Sequence, residues 1–165
     1  MWTIIKFEKK KLIFLKENFE KILGKSFVFY KPKILTQQYL KNKIKEKEYD
    51  LLGDYVFCYH EKFKQKEVIN ILKYSKGLKY FLNGFEQCQE DINRFITECK
   101  ASEDDKGYLS KNFYKIIINN NYKFLSGAFT GSIFKIIGLQ NKKIEILLGN
   151  IKTTVNKEEF CFRPL

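Results

Sequence analysis

The chain has 165 residues, enough for one domain or two small ones, and 44% of them are hydrophobic, enough to bury a real core. Ten Tyr and sixteen Phe exclude a disordered chain, which lacks the aromatic surface to offset chain entropy. The net charge of +12 points to a polyanionic neighbourhood such as nucleic acid, but only Arg94 and Arg163 among 31 basic residues are arginine, so contacts to a phosphate backbone are expected rather than base readout.

In chain order, Trp2-Thr3-Ile4-Ile5-Lys6-Phe7 reads as a first strand because β-formers dominate it. Lys9-Lys10-Lys11 form a charged break. Leu12, Leu15, Phe19, Ile22 and Leu23 then recur at helical spacing and predict an amphipathic helix over about residues 10–23. Gly24 follows where a left-handed C-terminal cap would want it. Residues 27–30 make a second strand, stopped near Pro32. In residues 33–50, Lys41, Lys43, Lys45 and Lys47 alternate with Asn42, Ile44, Glu46 and Glu48. Period two suggests a solvated hairpin arm, and alternating charge equally fits a helical surface.

The arm leads into Leu51-Leu52-Gly53-Asp54-Tyr55-Val56-Phe57-Cys58-Tyr59, a turn feeding a strand at the centre of an N-terminal sheet. Alternation puts Tyr55, Phe57 and Tyr59 on one face and Val56 and Cys58 on the other. Both faces are apolar or aromatic. Such a strand is either buried on both sides or offers one side to a partner, and the pattern alone leaves both open. A short helix over residues 67–72 is broken by Gly77, residues 78–82 make a further strand, and a helix runs from about 88 to 100. Ile92, Phe95, Ile96 and Cys99 lie on one stripe of that helix; Glu90 and Asp91 in its first turn and Lys100 in its last suit its dipole. This order predicts an α+β fold with an antiparallel sheet flanked by helices.

The polar run Ala101-Ser102-Glu103-Asp104-Asp105-Lys106-Gly107 reads as a linker. The expected division is 1–100 for the first domain, 101–110 for the linker and 111–165 for the second domain. Strand signals then take over, at 114–119, 122–125, 132–137, 143–148, 152–155 and 160–162, punctuated by Gly127, Gly131, Gly138 and Gly149. Short strands with glycine turns predict a small C-terminal β-barrel.

Catalytic chemistry has no foothold in the sequence. The sole histidine, His60, lies within an aromatic strand, and no GxSxG, Walker or GxGxxG run is present. Cys58, Cys88, Cys99 and Cys161 form no CxxC pair, and Cys58 with His60 supplies two ligands at most, so no metal or cofactor is expected. With no signal-like or membrane-spanning stretch, the expectation is a cytoplasmic, non-enzymatic protein, a monomer with reduced thiols.

These residues resemble the NusG family of transcription elongation and antitermination factors. Trp2-Thr3-Ile4-Ile5 is similar to that family's opening, and Leu51-Leu52-Gly53-Asp54-Tyr55-Val56-Phe57 to its L-F-P-G/N-Y-hydrophobic-F signature. Ser75-Lys76-Gly77-Leu78-Lys79-Tyr80-Phe81 resembles its T/S-basic-G-aliphatic segment, and Gly127-Ala128-Phe129-Thr130-Gly131-Ser132-Ile133 a compressed KOW turn. Leu52 stands for the usual Phe, Gly53 for Pro and Asp54 for Gly or Asn, as in a divergent paralogue. The resemblance implies an N-terminal domain that docks on the β′ clamp helices of RNA polymerase and modulates pausing, and an SH3-like KOW barrel that recruits Rho or a small-subunit ribosomal protein. It assigns polymerase docking to Lys6, Leu52, Tyr55, Phe57, Ser75, Lys76 and Gly77, and partner binding by the barrel to Gly127, Phe129 and Gly131. Lys41, Lys43, Lys45 and Lys47 would lie near non-template DNA or the opposite polymerase jaw. A ribosome-associated or other RNA-binding module without polymerase contact is the competing reading of the same basic, aromatic composition.

Overall fold

The computed structural model describes residues 1–40, 43–110 and 113–165, with side chains at all of these except 37–40, 43 and 44. The fold is α+β, and the chain divides into two compact units. The first comprises Met1–Pro32 with Asp50–Ala101, and the second Lys33–Tyr49 with Ser102–Leu165.

The first unit is built on an antiparallel sheet from β1 (Trp2–Phe7), β2 (Val28–Tyr30), β5 (Tyr55–Tyr59) and β6 (Leu78–Phe81), in the order β2-β5-β1-β6. Alternation along β1 and β5 divides its side chains. Ile5, Phe7, Val56 and Cys58 point to one face and are wholly buried with Leu15, Phe19 and Leu23 of α1 (Leu12–Leu23) and Leu72 of α2 (Lys66–Leu72). Spacing of four places the three α1 residues on one stripe, and the helix stops at Gly24 (φ 92°), whose N–H donates to the Glu20 carbonyl. On the opposite face lies α3 (Gln89–Ala101), which buries Ile92 and Ile96 against Phe57, with Trp2, Ile4, Tyr30, Leu52 and Phe95 packed around them.

The second unit holds the arm and the C-terminal strands. The arm is a hairpin of β3 (Lys33–Leu40) and β4 (Lys43–Asp50), so its period-two pattern is strand and not helix surface. The polar run after α3, where a linker is expected over 101–110, carries local order. The Asp104 carboxylate accepts from the backbone N–H groups of Lys106 and Tyr108, turning the chain into β7 (Tyr108–Leu109), which pairs parallel with β3 at Lys33–Tyr108 and Ile34–Leu109. The Tyr108 hydroxyl donates to Glu48, which also pairs with Lys33 at 2.7 Å. The arm therefore groups with the C-terminal segment rather than with the sheet that flanks it in sequence.

The remaining strands are β8 (Asn121–Phe124), β9 (Ile133–Leu139), β10 (Lys143–Leu148), β11 (Ile151–Asn156) and β12 (Phe162–Pro164), in one antiparallel sheet of order β11-β10-β9-β8-β12. All five give side chains to one core: Tyr122, Phe124, Phe134, Ile136, Ile144, Ile146, Val155 and Phe162. Phe124 and Phe134 stack at 4.1 Å. A register shift opposite Glu145 and Ile146 adds twist to this sheet, and among the described residues no ladder joins its edges into the closed barrel the sequence suggests. The strand expected at 114–119 does not form. Asn119 takes a left-handed φ of 70° and the Ile117 N–H donates to the Tyr122 hydroxyl, so this stretch ends in a turn at 118–119 that feeds β8.

Candidate functional site

Gln89 decides how much of the first unit's sheet is covered. Its side-chain oxygen accepts from the Trp2 N–H at 2.9 Å, and its Nε2 donates to the carbonyls of Trp2 at 2.8 Å and Phe85 at 2.6 Å. The start of α3 is thus fastened to the start of β1. From there the helix lies over Phe57 of β5 and ends near Tyr30 of β2, where Lys100 Nζ sits 5.6 Å from the Tyr30 ring. Among the described residues, neither Lys6, Tyr55 nor Tyr80, at the opposite corner where β1 ends beside β6, belongs to the cluster packed under α3.

In that corner three residues form a row across three strands. Lys6 is the register partner of Tyr55 on β5 and of Tyr80 on β6, so all three project from the same face. The two hydroxyls meet at 2.9 Å, and Lys6 Nζ lies 5.2 Å from the Tyr55 ring centroid and 5.7 Å from that of Tyr80. Tyr80 is 43% exposed, while Lys6 and Tyr55 are half-buried. The tyrosine oxygens, that of Tyr55 foremost, raise the Lys6 pKa and hold it cationic. The hydrogen bond with Tyr80, aided by Lys6, lowers the Tyr55 pKa, and the same bond raises that of Tyr80; either hydroxyl can be the donor. Among the described residues no carboxylate pairs with Lys6; neighbouring Lys9 already pairs with Asp54 at 3.4 Å. Leu52 lies half-buried against the Phe57 cluster, in a turn that Gly53 makes possible at φ 62°.

The other residues expected to dock divide sharply. Phe57 is 4% exposed, with its ring 5.7 Å from Phe95, 6.3 Å from Tyr30 and 6.4 Å from Trp2. It belongs to the core under α3 and is corrected here from docking residue to structural residue. Ser75 is buried in a tight turn, its N–H donating to Leu72 and its carbonyl accepting from Leu78. Gly77 is buried too. At φ 93° a Cβ would stand 2.8 Å from Lys11 Cβ and 2.9 Å from the Lys11 carbonyl oxygen, so its requirement for glycine is structural. Only Lys76 of these three is exposed, its Nζ lying 4.9 Å from the Phe14 ring. Tyr80, which the sequence reading passed over, completes the row.

On the arm, Lys45 and Lys47 are exposed, with Lys47 5.0 Å from the Tyr49 ring. Lys41 lies outside the described residues, and Lys43 is described by its backbone alone. In the second unit Gly127 (φ 83°) closes against the Phe160 ring, leaving no room for a Cβ. Phe129 projects from the same turn, 36% exposed and packed 5.6 Å from Phe124, and Gly131 (φ 91°) ends the turn with open space beside it.

A groove of about 550 Å³ beside β6 has a floor of Ile69, Phe81 and Phe85 rimmed by Lys66, Lys73 and Lys79, and holds no nucleophile–base pair. Among the described residues no His, Cys, Asp or Glu cluster could hold a metal, and no helix is long and apolar enough to cross a membrane.

His60 is structural. It is 7% exposed; its Nδ1 accepts from the Lys62 N–H at 3.1 Å and its Nε2 lies 3.1 Å from Ser26 Oγ. Burial first, then Lys62 and the N-terminal ammonium, lower its pKa below 6.5. A histidine kept neutral by folding adds stability that is complete above pH 6.5 and drains away as the pH falls through the lowered value. Urea unfolding of the full chain is expected to give a free energy that declines from pH 6.5 to 5, and His60→Asn, which can keep the cap, is expected to flatten that slope.

No family model matches the chain, and no curated protein matches it. Among solved structures it is similar to a chain of the MjSpt4:Spt5 complex in conformation B, with 15% identity over 100% of this chain and 97% of that one and a TM-score of 0.30. It is also similar to Thermotoga maritima NusG, from a structure describing domain interaction, with 14% identity over 98% and 94% of the two chains and a TM-score of 0.34. At those scores neither likeness bears on what the chain does.

Proposed function

We propose that this protein is a NusG-like transcription elongation factor that docks on RNA polymerase through the open corner of its N-terminal sheet. One observation carries the reading: α3 packs on the Trp2 and Phe57 part of an aromatic face, while Tyr80 is exposed and Lys6 and Tyr55 beside it are only half-buried. The order of the motifs along the chain supports it, since the uncovered row coincides with the segments that resemble the family's docking signature. A factor that holds two parts of a larger machine together needs contact area and a few central aromatics, and no reacting group.

In this account Leu52 lends the row an apolar shoulder and Lys76 extends the face past β6. Lys41, Lys43, Lys45 and Lys47 bring cationic charge near non-template DNA or the opposite jaw. The turn at Gly127, Phe129 and Gly131 takes a second partner, Rho or a small-subunit ribosomal protein. The competing RNA-binding reading draws on Tyr74, 91% exposed between Lys73 and Ser75-Lys76 in the manner of a stacking platform. Co-purification with core polymerase, run beside a titration of naked RNA, separates the two. The elongation-factor reading expects stoichiometric recovery with nucleic-acid-free polymerase and weak RNA binding. Tight RNA binding with no polymerase recovered would overturn it.

A further inference from the structure

Lys6 sits at the middle of an apolar, aromatic docking face, where a cation is costly to bury unless something pairs with it. Its Nζ is within about 6 Å of two tyrosine rings, and its own chain gives it no carboxylate among the described residues. Whichever of the Tyr55 and Tyr80 hydroxyls donates to the other, the accepting one keeps its own O–H free to donate outward. The corner therefore offers two donors of different kinds, one ammonium and one phenol, side by side on a rigid three-strand row. Ile4, two residues back on the same face of β1, is half-buried against the Phe57 cluster.

We propose, resting on the polymerase-docking reading above, that this row is a receptor for a single carboxylate, so that the partner surface presents one Asp or Glu flanked by apolar side chains. The carboxylate would take one oxygen to Lys6 Nζ and the other to the free phenol O–H of the tyrosine pair, a charge-assisted arrangement that fixes register on the face. A polynucleotide fits less well. Successive phosphates ask for a run of cations, whereas nearby Lys9 pairs with Asp54 at 3.4 Å, and the negative charge of Asp54 adjoins Tyr55. Docking on one carboxylate also gives the site its selectivity, because a partner lacking the acid would leave Lys6 desolvated and unpaired.

The test measures affinity of the full chain for nucleic-acid-free core polymerase across a salt series, for wild type, Lys6→Met, Lys6→Arg and Lys6→Glu, with a melting curve for each. Lys6→Met is expected to bind about tenfold more weakly or worse and to lose part of the salt dependence, Lys6→Arg to stay within about threefold of wild type, and Lys6→Glu to fall below Lys6→Met. Wild type that binds while Lys6→Met binds equally well overturns the carboxylate receptor alone. So does a Lys6→Met defect that appears only when nucleic acid is added, since the occupant is then a phosphate backbone. Wild type that fails to bind polymerase overturns the elongation-factor reading and the receptor with it. Melting midpoints that fall with affinity across the series overturn the receptor as well, by making Lys6 a stability residue.

Discussion

Phe57→Ala is expected to destabilise the N-terminal unit by about 3–5 kcal/mol, the usual cost of removing a phenylalanine from a packed interior. The ring is 4% exposed, capped by Ile92 and Ile96 of α3, and lies among Trp2, Tyr30 and Phe95. α3 is short and fastened at one end by Gln89, so it has little means of collapsing into the space left behind. For a unit of this size the melting midpoint should drop by more than about 10 °C. Any loss of polymerase binding should follow the folded fraction and vanish when the variant is assayed well below its midpoint. A Phe57→Ala protein that melts like wild type but fails to bind would restore Phe57 to the docking face and displace α3 from the position described.

The double variant Tyr55→Ala, Tyr80→Ala should behave in the opposite way. Each ring is partly open to solvent, their hydroxyls bond chiefly to each other, and neither belongs to a buried core cluster. Removing both is expected to change stability by about 1 kcal/mol or less, as for substitutions away from the core. Affinity for core polymerase should fall by about 2–4 kcal/mol, roughly 30- to 1000-fold in Kd, because central aromatics carry a disproportionate share of an interface. Calorimetric melting beside equilibrium binding distinguishes the two effects. Unchanged affinity in a folded double variant would leave the face without a docking role.

Much of this arrangement is legible in the residues. Period-two alternation in β1 and β5 assigns every side chain to its face, and the stripes on α1 and α3 identify what those helices bury. What alternation cannot do is divide one face. Tyr55 and Phe57 share a parity, and the distinction between an open ring and a sealed one depends on where α3 ends its coverage. That boundary is set by a hydrogen-bond clamp between Gln89 and Trp2, residues 87 apart in sequence. Tyr80 was missed for a related reason: its place opposite Lys6 follows from a register with a shift between Lys6 and Phe7. The turn at 119 had a signal in Asn119-Asn120-Asn121, since asparagine tolerates left-handed backbone, but the isoleucines before it outweighed that signal. The polar run after α3 reads as a linker because charged and small polar residues dominate it; the two β-formers that follow, Tyr108 and Leu109, carry the pairing with β3.

The most direct measurement places a photoreactive phenylalanine analogue at position 80 of the full chain and irradiates it with core RNA polymerase. The account predicts a crosslink to a polymerase subunit, competed away by unlabelled wild type and strongly reduced in a Lys6→Glu background. Labelling no stronger than from the same analogue at exposed Glu158 of the second unit would contradict it.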